Sequence, residues 1–600
     1  MAKMQKKETI DEVRHSLSHL MSMAILERYP KTGLGVGPII DNGFYQDYDP
    51  EKPLSESDFS WIEKRMRELI KKDIKFTKKK EDFKSALAFY KNDPYKTELI
   101  NDLKVAGEKD LSFYDSGWYH NLCKGPHVKS TKEINPQAFK LTKVAGDYWR
   151  GDEKRPMLQR IYGIAFEIKE ELDEYLKKQE EAEKRDHRRL GKEMELFLID
   201  PSVGMGLVLW QPKGAMLWRV MEDFWYQEHL KNGYQLVRSP HIGSRKLWET
   251  SGHWGFYNES MYPAIEVGQT LKDAQEGKTA KIKDEYLLKP MNCPFHVTLY
   301  NSTPRSYREL PIRWAECGTV YRYEKSGELS GLTRVRGFTQ DDAHIICTKD
   351  QVKIELKRVA DFILYILKTF GFTEFNVYLS LRDPKNKEKY AGNDEGWRFT
   401  QKILEDVAKE QGLKYIRQEG EAAFYGPKLD YKIKDCLGRE WQCSTLQFDF
   451  NLPERFDMNF TNDKGQKERP YVLHRALFGS FERFIGILIE HYAGAFPVWL
   501  APVQALIIPI TDKQLSYSRK INDSLLKAGI RSEFNDKPES MSRKIRDGEM
   551  KKIPYLIIIG DKEQKAKTIS VRSRNRDLGT MKPEKLIAQI ITVINKKKTV

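Results

Sequence analysis

A short arginine-rich segment carries the residues best suited to chemistry. It contains Arg322 and Glu324, then Arg334, Phe338 and His344, and it lies between two apolar runs. The planar, permanently charged guanidinium group matches phosphate oxygens, an aromatic ring can stack on a nucleobase, and an imidazole can bind a metal. This mixture predicts a nucleotide-activating site rather than a structural hairpin.

Three candidate metal ligands are scattered along the chain. Cys293 follows an apolar strand-like run, His344 closes the arginine-rich segment, and His474 lies in a later apolar run. One thiolate and two imidazoles satisfy zinc and leave its fourth position open, which is typical of catalytic sites. Because the spacing is not local, the sequence alone does not assemble this set. His296 is a rival ligand, and each residue taken singly is more often a buried structural residue.

A pair of histidines near the N-terminus is a second candidate site. His15 and His19 are one helical turn apart and fall opposite an apolar stripe on the same predicted helix. We therefore expect both to be solvated or to line a cleft. The pair lacks the glutamate of an HExxH motif, which disfavours a metalloprotease.

The elements that must position these residues fall into four segments. Residues 1–165 mix helices with Gly/Pro turns, and 166–190 form a charged, Pro-free helix that bridges two domains. Residues 191–496 hold strand-like runs and most of the chemistry. Residues 497–600 alternate apolar strands with amphipathic helices, which predicts a buried parallel or mixed sheet.

Composition narrows the class of protein. The 600 residues carry a formal net charge of +15, which favours a polyanionic partner such as nucleic acid, with a merely solvated basic surface as an equal alternative. The six cysteines are sparse and form no CxxC pair, so we expect a reducing cytoplasm. No stretch approaches the roughly 18 uninterrupted apolar residues of a membrane span, so we expect no membrane association.

Long, gap-free motifs resemble those of the threonyl-tRNA synthetases, a family of class II aminoacyl-tRNA synthetases. The matching stretches are MNCPFH (291–296), GLTRVRGFTQDDAH (331–344), FYGPKLD (424–430), WQCSTLQFDF (441–450) and LHRALFGSFERFIGILIEHYAG (473–494). The resemblance implies an α+β multidomain protein. Its parts would be an N-terminal α+β editing domain over 1–165, a linker helix over 166–190, a class II antiparallel-sheet catalytic core over 191–496 and a C-terminal α/β anticodon-binding domain over 497–600. It also implies a homodimer with an interface around the amphipathic helix 213–230.

The implied activity is threonine–tRNA ligation from ATP, L-threonine and tRNA(Thr). The implied cofactors are one Zn2+ per subunit, held by Cys293, His344 and His474, and Mg2+ with ATP. Arg322 and Arg483 would be the catalytic residues. The implied ATP contacts are Arg322, Glu324, Arg334, Phe338, Gln442 and Arg483, and the implied threonine contacts are Gln340, Asp342, Tyr425, Lys428 and Gln447.

The resemblance also implies hydrolytic editing of Ser-tRNA(Thr). Its residues would be His15, His19, Cys123 and His127, although the same four side chains are chemically able to form a second zinc site. The family commonly has an aspartate where this chain has Asn121, and an amide cannot take a proton or hold a negative charge.

Two further comparisons with the family concern the ends of the chain. Glu563 and Arg572 match anticodon contacts, whereas Pro538 stands where a third contact is usually asparagine. Only about a dozen residues precede the two N-terminal histidines, so we expect a form without the family's small ubiquitin-like domain. Alternative interpretations are another class IIa specificity, or a synthetase-like RNA-binding regulator with altered catalysis.

Overall fold

The computed structural model describes residues 2–152, 154–268, 270–278, 284–574 and 576–597. Two compact units, residues 1–180 and 181–600, make up the chain. The fold is mixed α+β with predominantly antiparallel sheets, as the sequence predicts. Within the described residues, none of the helices has the length and apolar character needed to cross a membrane.

The N-terminal unit combines two sheets with a long first helix. Its helices are α1 Ala2–Arg28, α2 Phe59–Lys71, α3 Phe83–Phe89, α4 Pro94–Val105 and α5 Lys169–Arg185, which continues past the unit boundary. Its strands are β1 Gly33–Leu34, β2 Ile39–Ile40, β3 Gly43–Asp49, β4 Phe76–Glu81, β5 Leu111–Ser116, β6 Tyr119–Leu122, β7 Phe139–Tyr148 and β8 Met157–Ala165. One sheet has the order β1-β3-β8-β7 with β2 beside β3, and the other has the order β4-β5-β6.

The first helix packs an apolar face against this unit's core. Leu17, Leu20 and Met21 are fully buried in a cluster that includes Tyr48 and Ile62. Because the histidines are on the same helix, this packing fixes the direction in which they project.

The second unit contains the predicted catalytic core. Its helices up to residue 491 are α6 His187–Glu193, α7 Pro212–Lys231, α8 Arg245–Ser251, α9 His253–Phe256, α10 Leu271–Gln275, α11 Cys293–Asn301, α12 Val352–Thr369, α13 Asp394–Glu410, α14 Leu452–Arg455 and α15 Phe481–His491. The corresponding strands are β9 Phe197–Leu198, β10 Leu209–Trp210, β11 Gln235–Leu236, β12 Ile242–Ser244, β13 Ile265–Val267, β14 Asp284–Leu288, β15 Ile312–Tyr321, β16 Gly337–Cys347, β17 Phe375–Leu381, β18 Tyr415–Glu419, β19 Lys428–Lys434, β20 Glu440–Asp449, β21 Phe460–Thr461, β22 Lys467–Glu468 and β23 Tyr471–Ser480.

An eight-stranded sheet is the scaffold of this core. Its order is β11-β15-β16-β23-β20-β19-β17-β18, and its pairs are antiparallel except β11 with β15 and β17 with β18. The register sets His344 on β16 opposite His474 on β23, and it sets Gln447 on β20 opposite the same histidine. Helices α12 and α15 pack on this sheet through buried apolar faces. Adjacent strands thereby bring distant parts of the sequence together.

The C-terminal part forms a separate five-stranded sheet with the order β25-β24-β26-β27-β28. The strands are β24 Ala505–Pro509, β25 Ser532–Phe534, β26 Tyr555–Ile559, β27 Ile569–Ser573 and β28 Arg576–Met581, and the helices are α16 Leu515–Lys527, α17 Met541–Met550, α18 Asp561–Ala566 and α19 Pro583–Lys596. Strand β24 is parallel to both neighbours, whereas β26, β27 and β28 pair antiparallel. The prediction of a mixed sheet with buried apolar strands is confirmed.

Candidate active site

Three buried side chains bring their potential metal-binding atoms together. The thiol of Cys293 and one ring nitrogen each of His344 and His474 lie within 4.8 Å of one another. Nε2 of His344 is 3.0 Å from Nδ1 of His474. Cys293 begins α11, and Pro294 follows it in the first turn, where a missing backbone N–H costs nothing. The structure thus gathers all three predicted ligands.

The outer nitrogens of both imidazoles have partners of their own. Nε2 of His474 is 3.0 Å from a carboxylate oxygen of Asp449, and Nδ1 of His344 is 2.8 Å from Nδ1 of His296. Nε2 of His296 is 3.1 Å from the carboxylate of Glu316. Such outer partners orient ligating histidines in metal sites. His296, considered above as a rival ligand, lies behind His344 and outside the ligand group.

The donor set fits zinc. Burial, followed by neighbouring imidazoles, holds the pKa of His344 well below its ordinary value, so the ring is in the neutral form that binds metals. Burial raises the pKa of the Cys293 thiol, and a bound cation is what removes a proton from such a thiol. One sulfur and two nitrogens leave the fourth position of a tetrahedral zinc free for another ligand.

A cavity of about 530 Å³ adjoins this group, and His474 is part of its wall. The wall also contains four of the predicted threonine contacts, namely Gln340, Asp342, Tyr425 and Gln447. The Tyr425 ring stacks on the His474 ring with 5.2 Å between centroids, and the Tyr425 hydroxyl donates to Gln447. Asp342 accepts a hydrogen bond from Asn292 at 3.1 Å, and its other carboxylate oxygen is 3.9 Å from Nε2 of His344. The cavity therefore combines an anionic group with aromatic and amide walls, as a small amino acid requires.

Two residues depart from the sequence analysis of this cavity. Lys428 pairs with Asp430 at 2.5 Å and is not among the residues that line the cavity. His253, which the sequence analysis did not single out, does line it. Burial and, secondarily, His474 lower the pKa of His253 to about 3, so its ring is neutral. Its Nδ1 is 2.8 Å from the hydroxyl of Ser251.

A second cavity of about 230 Å³ holds all the predicted ATP contacts. Its wall includes Arg322, Glu324, Arg334, Phe338, Gln442 and Arg483. It shares Arg322, Gln340, Thr445, Gln447 and Ala476 with the first cavity. The guanidinium carbon of Arg322 is 5.1 Å from the centroid of the Phe338 ring. An arginine thus lies where the two cavities meet.

The other two arginines of this second cavity are held by neighbouring groups. Nε of Arg483 donates to the carbonyl of Thr333 at 2.9 Å, and Nη1 donates to the carbonyl of Gln442 at 3.1 Å. Nε of Arg334 donates to Glu324 at 2.9 Å. Three guanidinium groups around one small cavity form a preorganised anion site, suited to a polyphosphate.

A second cluster, in the N-terminal unit, gathers the four predicted editing residues. Donor atoms of His15, His19, Cys123 and His127 lie within 4.8 Å of one another. The Cys123 sulfur is 3.2 Å from Nε2 of His15 and 3.3 Å from Nε2 of His127. His19 is buried, so it lines the interior of the cluster and is not solvated. The helical wheel misses this because β6 and the loop after it cover that side of α1.

Hydrogen bonds define the tautomers in this cluster. Nδ1–H of His15 donates to the carbonyl of Pro126 at 3.0 Å. Ser16 gives its own proton to a backbone carbonyl and therefore accepts from Nδ1–H of His127 at 3.1 Å. Both rings consequently present an unprotonated Nε2 to Cys123. Burial lowers the pKa of His127 to about 2, which makes its ring a poor proton acceptor but a good hydrogen-bond partner for water.

Asn121 and Lys96 also belong to this cluster. The Asn121 amide nitrogen is 3.2 Å from Nε2 of His19, and its oxygen accepts from Tyr90 at 3.2 Å. Lys96 is buried, and desolvation lowers its pKa. Its charge acts on both His19 and Cys123. Nothing in the local pattern of α4 indicated that this lysine would face the cluster.

The chain is similar to known proteins over most of its length. The chain is 51% identical to threonine–tRNA ligase from Thermus thermophilus over 581 residues, covering 95% of this chain and 86% of that protein. It is 46% identical to threonine–tRNA ligase from Borreliella burgdorferi over 595 residues, covering 99% of both. The chain belongs to the threonyl-tRNA synthetase family. A solved structure described as the RNA binding domain of threonyl-tRNA synthetase from Cryptosporidium parvum matches this synthetase with a TM-score of 0.63 and 34% identity, over 68% of this chain and 98% of that one.

Family models match three parts of this synthetase. The tRNA synthetase class II core domain (G, H, P, S and T) matches residues 277–492, which contain the three candidate zinc ligands and the candidate ATP contacts. The threonyl and alanyl tRNA synthetase second additional domain matches residues 111–162, which contain Cys123 and His127. The anticodon binding domain matches residues 504–592.

The predicted anticodon contacts lie in this C-terminal part of the synthetase. Glu563 is in α18, where its carboxylate accepts from the backbone N–H of Gly560 at 2.9 Å. Arg572 is exposed on β27, and Pro538 is exposed in the loop before α17. The Glu563 carboxylate therefore stabilises the start of its own helix in addition to any contact with RNA.

Proposed function

We propose that this synthetase, a threonine–tRNA ligase, activates L-threonine with ATP in the two cavities that meet at Arg322. The proposal rests on the position of Arg322, which lines both cavities. A guanidinium group in that position can bind the threonine carboxylate and the α-phosphate together, which brings nucleophile and electrophile into contact.

In the activation step, an oxygen of the threonine carboxylate attacks the α-phosphorus of ATP in line. A new P–O bond forms while the bond to the diphosphate leaving group breaks, and threonyl-adenylate results. Phe338 and Arg483 hold the adenine, and Arg334 with Glu324 places the phosphates. The chain supplies positioning and charge neutralisation, and Mg2+ accompanies ATP as its counter-ion. The terminal ribose hydroxyl of tRNA(Thr) then attacks the mixed anhydride, and AMP leaves.

Cys293, His344 and His474 would hold one zinc ion per subunit. When bound there, zinc supplies direct coordination of the amino and hydroxyl groups of threonine, which valine cannot match because it lacks the hydroxyl. Asp342 accepts a hydrogen bond from the N–H of the substrate amino group, and Gln340, Tyr425 and Gln447 close the wall around the side chain. Serine keeps the hydroxyl, so this recognition rejects serine less well than valine.

The cluster of His15, His19, Cys123 and His127 would remove serine from mischarged tRNA. The unprotonated Nε2 atoms of His15 and His127 face the thiol of Cys123, and this group can orient a water molecule toward the ester carbonyl. The water oxygen bonds to the ester carbon, the bond from that carbon to the ribose oxygen breaks, and a proton from the water converts the ribose oxygen to a hydroxyl while serine is released. Burial lowers the pKa of both His15 and His127, which favours positioning of water by these rings over proton abstraction.

We further propose a cytoplasmic homodimer. Helix α7 spans the predicted interface helix, and exposed apolar side chains occur on it and on the strands that follow, including Met216, Leu230, Leu236 and Ile242. All six cysteines are unpaired, in keeping with a reducing compartment. Multi-angle light scattering gives the molar mass that distinguishes one chain of 70.2 kDa from two.

The proposal is tested by threonine-dependent ATP–diphosphate exchange in Arg322→Ala. Loss of a group that contacts both reactants should lower kcat/KM by about a hundredfold or more. Arg417→Ala is the matched control, because Arg417 pairs with Glu405 on the surface and lines neither cavity. Exchange that is unchanged in Arg322→Ala would refute the assignment of this site.

A further inference from the structure

His187 links three elements that are far apart in the sequence. It begins α6, it is 1% exposed, and its ring lies between α15 and the turn of the arginine-rich segment. Nδ1 is 2.6 Å from a carboxylate oxygen of Glu490 on α15. Nε2 is 3.0 Å from the backbone nitrogen of Leu332, which donates to it.

These partners fix the ring in one form. Because the N–H of Leu332 must donate, Nε2 of His187 carries no proton, and Nδ1–H donates to Glu490. The second oxygen of Glu490 accepts from the backbone of Cys436 at 3.2 Å, which holds the carboxylate in place. The donor atoms of Asp186, His187 and Glu490 are close enough to hold a metal, but both ring nitrogens are already engaged. The group is therefore a hydrogen-bonded junction.

The turn contacted by His187 leads directly to the nucleotide cavity. Leu332 is fully buried, so its N–H has no water to replace a lost acceptor. The next residue, Thr333, gives its carbonyl to Nε of Arg483 at 2.9 Å, and Thr333, Arg334 and Arg483 all line the cavity of about 230 Å³. One backbone segment therefore contacts His187 on one side and Arg483, an arginine of the nucleotide cavity, on the other.

Glycines allow this close approach. A Cβ on Gly331 would lie 2.2 Å from Nε2 of His187, and the residue has φ +49°. A Cβ on Gly486 of α15 would lie 3.1 Å from Cβ of Leu332. Side chains at either position would push the turn away from the imidazole. The backbone at Gly331 and Gly486 therefore packs too closely around His187 and Leu332 to admit a side chain without displacement.

We propose that His187 is a positioning residue of the nucleotide site. By accepting from Leu332, it holds the turn that carries Thr333 and Arg334, and through that turn it fixes the guanidinium group of Arg483. Glu490 determines the tautomer that makes this possible. The inference rests on the proposed role of the second cavity in binding ATP.

The test compares two near-isosteric variants in threonine-dependent ATP–diphosphate exchange. His187→Asn keeps a donor near the Nδ1 position for Glu490 but has no atom near Nε2, whereas His187→Gln places an amide oxygen where Nε2 accepts from Leu332. We expect His187→Asn to raise the KM for ATP about tenfold and His187→Gln to stay within about threefold of the parent. The KM for threonine should change less than twofold in both, because the first cavity is not contacted by the turn.

A purely structural role would give a different pattern. It would lower the unfolding temperature of both variants and leave the KM for ATP unchanged, and that result would overturn the proposal, as would equal KM values for ATP in the two variants. His491→Asn is the control, because His491 is the neighbour of Glu490 on α15 and lines neither cavity. If His187→Asn does not fold, Gly331→Ala perturbs the same contact from the opposite side and should also raise the KM for ATP; an unchanged KM overturns the proposal.

The two proposals fail in different ways. If exchange is unchanged in Arg322→Ala, the assignment of the two cavities as the activation site is wrong. If Arg322→Ala is inactive but His187→Asn has an unchanged KM for ATP, only the positioning role of His187 is refuted.

Discussion

His344 and His474 face each other across adjacent antiparallel strands, with Nε2 of one 3.0 Å from Nδ1 of the other. Two imidazoles at this distance can share one proton or one cation. Because burial lowers the pKa of His344, a second proton is disfavoured and the space between the rings suits a cation held with Cys293. The relationship is produced by strand register and therefore connects the fold directly to the candidate metal site.

Asp449 should control the affinity of this site for zinc. One of its oxygens accepts from the backbone of Asn451 and Leu452 at 2.7 and 2.9 Å, so an asparagine there would turn its amide nitrogen toward His474. That nitrogen donates to Nε2 and forces the ring proton onto Nδ1, the atom that would bind the metal. We expect Asp449→Asn to weaken zinc binding about 10–100-fold in a competition titration with a chelator.

Asp435→Asn is the matched control for this measurement. Asp435 is a buried carboxylate that pairs with Arg439 and lies outside both cavities. Zinc affinity in Asp449→Asn equal to that of the control would show that the outer partner of His474 does not matter.

The family resemblance, carried by long motifs, implies the ligand set and the nucleotide residues, which spacing alone does not bring together. It does not predict Asp449 as a partner of His474, nor His253 as part of the cavity wall, because both depend on which strands and helices become neighbours. His19 illustrates the same limit: a helical wheel describes one helix, whereas burial also depends on what packs over it. Lys428 shows a different limit. Its partner, Asp430, is only two residues away, yet the motif does not indicate that the two side chains pair.

Cys123 should be required for editing and not for activation. Its sulfur lies between Nε2 of His15 and Nε2 of His127, in a unit distinct from the one that holds the ATP contacts. We expect Cys123→Ala to slow deacylation of Ser-tRNA(Thr) at least tenfold while threonine-dependent exchange stays within twofold. Loss of exchange in this variant, or unchanged deacylation, would contradict the separation of the two sites.

The same deacylation assay compares the parent chain with Asn121→Asp. The Asn121 amide donates to Nε2 of His19, whereas a carboxylate would accept from it and reverse the tautomer of that ring. If the parent deacylates Ser-tRNA(Thr) slowly, Asn121→Asp should restore the rate. A metal count distinguishes the alternative for the same cluster, because a second zinc site would bring the total to two ions per chain.

Glu482 should make stability fall as pH rises. Burial raises its pKa to about 8, and the backbone N–H of Thr339, which donates to both oxygens, offsets this only in part. The folded state therefore holds a proton that the unfolded chain releases above its ordinary pKa of 4.5. This difference in pKa predicts that the parent loses stability between about pH 4.5 and pH 8. Glu482→Gln, which has no ionisable group at this position, should not show this loss.

Urea unfolding at pH 5, 7 and 9 measures this difference. We expect Glu482→Gln and the parent to be similar at pH 5, and the variant to be more stable by roughly 4–5 kcal/mol at pH 9. A difference between the two proteins that is constant across this range would contradict the burial of an ionisable group at this position.

The central claim is that one zinc ion, bound by Cys293, His344 and His474, recognises threonine. The most direct measurement is the zinc content of Cys293→Ser beside threonine-dependent exchange in the same preparation, with Cys347→Ser, a buried cysteine outside the cluster, as the control. The account predicts one zinc ion per chain and full exchange in the control, and loss of both together in Cys293→Ser. A Cys293→Ser protein that keeps its zinc and activates threonine at the parent rate would contradict it.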